Sequence, residues 1–270
     1  MVRFLRLLFI ASCLCCLFKT ASAGQITELA GQASVKSYDE AQRLIKDYSQ
    51  QLQNNPSDTK LMVKLGNLYF MLKEFDLAVE NYSSAIKIDN RIDAAYFGRG
   101  MALGRSGYIH DGIKDLTVYI KRHPMSSLAY TKRGVRHLWL DEESEAKKDF
   151  QKAIELDPKN AEANDDLGVI YAKRKQYTEA IKHFSTTVRL DPTYQKGYHN
   201  LAMAYYLVGQ DDIALESVNS ALSLNARDRS SALLKVEILK ALGRTQEAEA
   251  LKDDAEFLPE GNWSESISVQ

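Results

Sequence analysis

The chain has 270 residues, a formal net charge of −1, 45% hydrophobic residues and 26% charged ones. That composition suits one large or two small soluble domains and gives no reason to expect nucleic acid or an anionic membrane surface as partner. Only three cysteines and five prolines occur, and neither set is scattered at random.

Arg3 and Arg6 precede an apolar run from Leu7 to Phe18, and Lys19 and Ala21-Ser22-Ala23 follow it. A basic start, a short apolar stretch and a small-x-small ending predict a secretory signal peptide over 1–23, cut between Ala23 and Gly24. The twelve-residue run would span about 18 Å as a helix, against a roughly 30 Å hydrocarbon core, which disfavours an uncleaved anchor. Ile10-Ala11-Ser12-Cys13 resembles a bacterial lipobox, so lipid attachment at Cys13 is the alternative, although the apolar run continues past that cysteine. All three cysteines (Cys13, Cys15 and Cys16) lie in this segment. Cleavage removes three basic residues and no acidic one, which leaves a net of −4 and no thiol for a disulfide, a nucleophile or a metal site.

Residues 24–36 show no amphipathic pattern and read as a flexible segment. Over 37–55, Ser37 with Glu40 forms a capping-box pattern, and Ala41, Leu44, Ile45, Tyr48 and Leu52 share one helical face. This predicts a single N-terminal capping helix.

A 34-residue period then governs the chain. Pro124, Pro158 and Pro192 are one period apart, with Pro56 two periods before them. Gly66, Gly100, Gly134 and Gly168 keep the same step, as do Ala146, Ala180, Ala214 and Ala248, with Ala78 in phase and Gly112 in the remaining slot. The unit 161–194 reads Asn164-x2-Leu167-Gly168-x2-Tyr171, then Ala180-x3-Phe184, then Asp191-Pro192. It resembles the tetratricopeptide repeat, a helix–turn–helix of 34 residues. The other copies fall at 59–92, 93–126, 127–160, 195–228 and a decaying 229–258. The resemblance implies an all-α, right-handed superhelical solenoid of about six such units over 59–258, behind the capping helix. The tail 259–270, with Trp263, breaks phase; it either folds back on the last helices or stands as a ligand.

Small residues at Gly168 and Ala180 let helices A and B of a unit cross closely, so a leucine at Gly168 should overpack the crossing by about 1–3 kcal/mol. Proline ends helix B, and Asn90 and Ala226 supply weaker punctuation where it is missing. Arg99 and Arg133 stand where leucine is usual; either they form a paired basic site, or their stems pack while the guanidinium groups reach water, the reading we favour. His137 and the turn Asp141-Glu142-Glu143 make 127–160 the least regular internal unit, as a bend or as drift.

No phosphate loop, H-E-x-x-H pair or general acid–base pair stands out, so no catalytic residue, cofactor or metal is expected. The resemblance implies a concave groove lined by the A helices. By phase it is lined by Asn67, Phe70 and Met71, then Phe97, Met101 and Arg105, then Val135 and Trp139. Asp165, Asp166, Val169 and Lys173 follow, and His199, Asn200, Met203 and Tyr206 complete the strip. Methionine and aromatic residues are frequent binding anchors, and the competing reading is ordinary core between A helices. The lysine and arginine partners by which chaperone-binding members hold a carboxylate are missing: Asn67 matches one position, but Val63 replaces its lysine. Glu162, Asp165 and Asp166 instead suggest a basic or amine-bearing peptide.

The expected function is a protein-interaction scaffold in the periplasm of a Gram-negative bacterium, binding a partner's peptide or helix, with no nucleic acid and no membrane span after cleavage. A component of an export or polysaccharide-secretion assembly, and an enzyme with a groove site, are the alternatives. Self-association is left open. The triplets at Asn81 and Asn262 are glycosylation sequons that would fit a eukaryotic secretory origin, in the ER lumen or outside the cell.

Overall fold

The computed structural model describes Val35 and residues 37–258. The predicted signal peptide, the lipobox, most of the 24–36 segment, Asn262 and the Trp263 tail lie outside those residues. Thirteen α-helices and no strand are found among the described residues. The capping helix is α1 (Tyr38–Asn54), with Ser37 Oγ accepting from the Glu40 N–H at 3.1 Å. The pairs that follow are α2 (Thr59–Met71) and α3 (Phe75–Ile88), α4 (Asp93–Arg105) and α5 (Ile109–Arg122), and α6 (Ser127–Trp139) and α7 (Glu143–Leu156). Then come α8 (Ala161–Lys173) and α9 (Tyr177–Leu190), α10 (Gln195–Leu207) and α11 (Asp211–Leu224), and α12 (Arg229–Ala241) and α13 (Thr245–Phe257).

Two compact units divide the chain, one ending at Glu142 and one beginning at Glu143. In the first, Ala41 and Ile45 of α1 bury against Leu65 and Leu68, and Tyr82, Phe97, Met101 and Leu116 centre the core that follows. In the second, Phe150, Leu167, Ile170, Phe184 and Val218 are buried, and Val236, Leu239 and Ala248 close the last pair.

The A–B turns are all alike. Residues 73, 107, 141, 175, 209 and 243 all have φ between 60° and 90°. In each turn the next residue's N–H bonds a carbonyl five residues back, as in Glu74→Tyr69, Glu142→His137 and Gln176→Tyr171 at 2.9 Å. This is the left-handed helix ending that favours glycine, yet Lys73, Asp141 and Lys175 adopt it too. The irregular look of 141–143 therefore stops at the sequence: its backbone matches the other turns, and His137 Nδ1 lies 2.6 Å from Glu142 Oε2.

The B–A junctions correct a second expectation. Asp157 and Asp191 Oδ1 accept from the N–H two residues on at 2.9 Å, beside their prolines. Asp89 and Asn225 do the same at 3.0 and 3.2 Å without a proline. The side-chain turn, rather than proline, is common to these four junctions.

Close approach also takes two forms. A Cβ on Gly168 would lie 2.6 Å from the Phe184 ring, so a side chain covers that glycine. A Cβ on Gly112 would lie 2.7 Å from the Gly100 carbonyl oxygen, so there the backbones themselves meet.

Candidate functional site

In the first unit, four of the phase-predicted residues come together. Asn67, Phe70, Phe97 and Met101, all buried, line with Tyr82, Ala94 and Gly98 a small cleft of about 20 Å³ that is partly open to solvent. Tyr82 was not anticipated. Its ring comes from α3 and wedges between two glycines: a Cβ would lie 2.6 Å from it at Gly66 and 2.4 Å at Gly98. The buried hydroxyl then donates to Asn67 Oδ1 at 2.6 Å, and burial pushes its pKa above the usual tyrosine range. A phenylalanine at this phase, as at Phe184, would carry no such group. The ring of Phe70 meets Phe75, and that of Phe97 meets Tyr119, both edge-on at 5.3 and 5.0 Å.

Further along the strip, Arg105 and Trp139 are half-buried together, the guanidinium 5.6 Å from the ring centroid. Arg136 lies over the same ring at 4.8 Å and is itself buried, donating to the Lys132 and Met101 carbonyls. Val135 and Met71 are half-buried.

The reading of Arg99 as a water-seeking guanidinium is corrected. Its Nε and Nη2 form a two-point ion pair with Asp115 of α5 at 2.6 and 2.9 Å, and Nη1 donates to Ser83 of α3. Arg133 repeats part of this, donating to Thr117 Oγ1 at 3.1 Å. Both arginines tie a helix A to neighbouring B helices. Asn81, in the described sequon, is half-buried in α3 and donates to the Leu77 carbonyl.

In the second unit the strip is closed. Asp165 is fully buried, and Asp166, Val169, His199, Asn200, Met203 and Tyr206 are buried as well. Lys173 is half-buried and pairs with Glu143 at 3.3 Å. The reason is a residue the sequence reading passed over. Lys196 of α10 places Nζ 2.9 Å from Asp165 Oδ2 and 3.4 Å from Asp166 Oδ1. Asn200 Nδ2 donates to Asp165 Oδ1 at 2.9 Å. Burial disfavours the Lys196 ammonium, but Asp165, Tyr194 and Asp166 outweigh it and raise its pKa well above the ordinary lysine range. The acidic patch proposed for an amine-bearing peptide thus already holds an amine of its own. The same face continues to α12, where His199 Nδ1 lies 2.9 Å from Ser231 Oγ, and Gln195 reaches Asp228 and Ser231.

Among the described residues there is no group of three or more His, Cys, Asp or Glu that could hold a metal ion. Likewise, no described helix is long and apolar enough to cross a membrane.

Models described as tetratricopeptide repeat match residues 59–91, 129–160 and 150–182, and one described as TPR repeat matches 168–209. Hsp70-Hsp90 organizing protein 3 of Arabidopsis thaliana is 26% identical over 134 residues, 50% of this chain and 24% of that protein. Organizing protein 2 from the same organism is 29% identical over 133 residues, 49% and 23%. The chain thus spans about a quarter of these relatives. Among solved structures, MamA aligns with a TM-score of 0.53 at 24% identity, over 63% of this chain and 92% of its own. The Pseudomonas aeruginosa PilF protein aligns at 0.67 and 15% identity, over 77% and 95%. YrrB, described as a TPR protein with an unusual peptide-binding site, aligns at 0.52 and 19% identity, over 68% and 95%. These likenesses concern the fold, and they agree with the helix pairs, the six like turns and the matched repeats. The chain belongs to the tetratricopeptide-repeat family of protein-interaction scaffolds.

Proposed function

We propose that this scaffold works in the cell envelope and holds a segment of a partner protein in the cleft between α2 and α4. The observation that carries the reading is the cleft itself. It brings two aromatic rings and a methionine beside Asn67, whose carbonyl oxygen is fixed by Tyr82. Apolar groups around one oriented polar group suit the tip of a partner's side chain resting at the mouth of this small cleft. The strip of the second unit has its polar groups engaged with one another, so it is not the favoured seat.

A photocrosslinking residue at Ala94, which lines the cleft and is exposed, tests this in the host cell. The control position is Met125, exposed and outside the cleft. A protein captured from Ala94 and not from Met125 supports the reading; equal capture, or none, defeats it. The envelope assignment is tested by fractionation, with a chain beginning at Gly24 expected in the envelope fraction. An unprocessed chain in the cytoplasm would remove that part of the reading.

A further inference from the structure

We propose that His199 is an acid-operated latch that holds the last helix pair, α12–α13, onto α10. It sits on α10 with 5% of its surface exposed, facing a wholly buried Ser231 on α12. The hydrogen bonds around that serine admit one complete arrangement. Gln195 Nε2 donates to Asp228 Oδ2 at 3.0 Å and to Ser231 Oγ at 3.3 Å. The Ser231 N–H donates to Asp228 Oδ2 at 3.0 Å. The remaining proton of the Ser231 hydroxyl has His199 Nδ1 as its acceptor, at 2.9 Å. A neutral ring with a bare Nδ1 completes the network. A protonated Nδ1 would aim a second donor at the serine and leave its hydroxyl proton without an acceptor in a dry contact, which is costly.

The charges around the ring are few. Asp165 faces it from α8, Lys196 from its own helix and Asp228 from the cap of α12. No charge from α9 or α11, which also pack against α10, acts on it. Burial lowers the imidazole's pKa below the ordinary 6.5, Asp228 and Asp165 pull it up in part, and Lys196 opposes them. Because the docked state holds the proton more weakly than the undocked one, the latch is fully closed above about pH 6.5. It weakens as pH falls below that value and levels off under the docked pKa. Release would uncover the apolar face of α12 that carries Leu234 and Ile238, both buried in the docked pair.

Hydrogen exchange on the full chain, corrected for intrinsic rates, tests the latch at about pH 7.5 and about pH 5.5, on either side of an ordinary histidine. Exchange in α12–α13 is expected to rise several-fold at the acidic value. In His199→Asn, whose side chain can still accept from Ser231 but does not titrate, that rise is expected to disappear. His183, on α9, is also shifted downwards by burial and by Lys182 and Lys147, so an acid response confined to α8–α9 would assign the effect to it and overturn the latch. A flat response in the wild type, or an undiminished one in His199→Asn, would do the same. Should the variant fail to fold, the proton titration of His199 in the wild-type chain decides: a pKa at or above the ordinary histidine value overturns the proposal.

Discussion

The two compact units obey one period and fill it differently. Between α2 and α4 the first unit fills the space with rings and one neutral hydrogen bond, Tyr82 to Asn67, and a small cleft remains, while between α4 and α6 the buried Arg136 guanidinium donates to the Met101 carbonyl. The second closes the same phase with ions and amides, from Asp165, Asp166 and Lys196 to His199 and Ser231, and no opening is left on those residues. A repeat fixes which residues face one another across adjacent helices. Whether that face leaves room for another molecule depends on how fully the side chains of both helices fill it.

Four substitutions break or sharpen this contrast. The largest effect is expected from Lys196→Met. It takes the cation away from the wholly buried Asp165, a loss of about 3–5 kcal/mol. Urea unfolding should show it in the second unit, with the first unit's transition unmoved. Tyr82→Phe gives the first unit the residue the second carries at Phe184. It keeps the wedge between Gly66 and Gly98 but strips Asn67 of its donor, at a cost of about 1–2 kcal/mol. Thermal unfolding checks the stability, and the crosslinking yield at Ala94 reports whether an unanchored Asn67 still serves the cleft. Lys175→Gly is expected to gain stability. A left-handed residue other than glycine costs about 1–2 kcal/mol, and the added freedom of the unfolded glycine returns part of it, leaving about 0.5–1 kcal/mol. The same change at Lys73 should give the same sign in the first unit, because the two turns share φ values of 60° and 63°. Unequal responses would show that the turns are less alike than their backbones.

Much of the fold was legible because it rests on local rules. Ser37 with Glu40 marked the start of α1, and each helix A begins in phase, at 59, 93, 127, 161, 195 and 229. The site was only half legible, because periodicity assigns a face and not a depth. Phe97 and Met101 border a cleft yet are as deeply buried as Asp165 and Met203 on the same strip, so most of the strip went into the core. The ion pairs were missed for a related reason. Lys196 lies 30 and 31 residues from Asp166 and Asp165, one period less a helical turn, a spacing at which opposite charges meet on adjacent A helices. Arg99 and Asp115 lie 16 residues apart, the corresponding offset between a helix A and its own B. Charge searched at those two separations would have found both pairs.

The Lys196 pair also bears on how this array could change length over evolutionary time. Repeat arrays ordinarily gain or lose whole modules with little penalty, since each touches only its neighbours. Here the carboxylates belong to one module and the ammonium to the next. Excising either, or inserting another between them, would strand charge in a dry interface. The modules from α8 to α11 are thus expected to be gained or lost together, because their shared ions set a penalty on any other change in copy number.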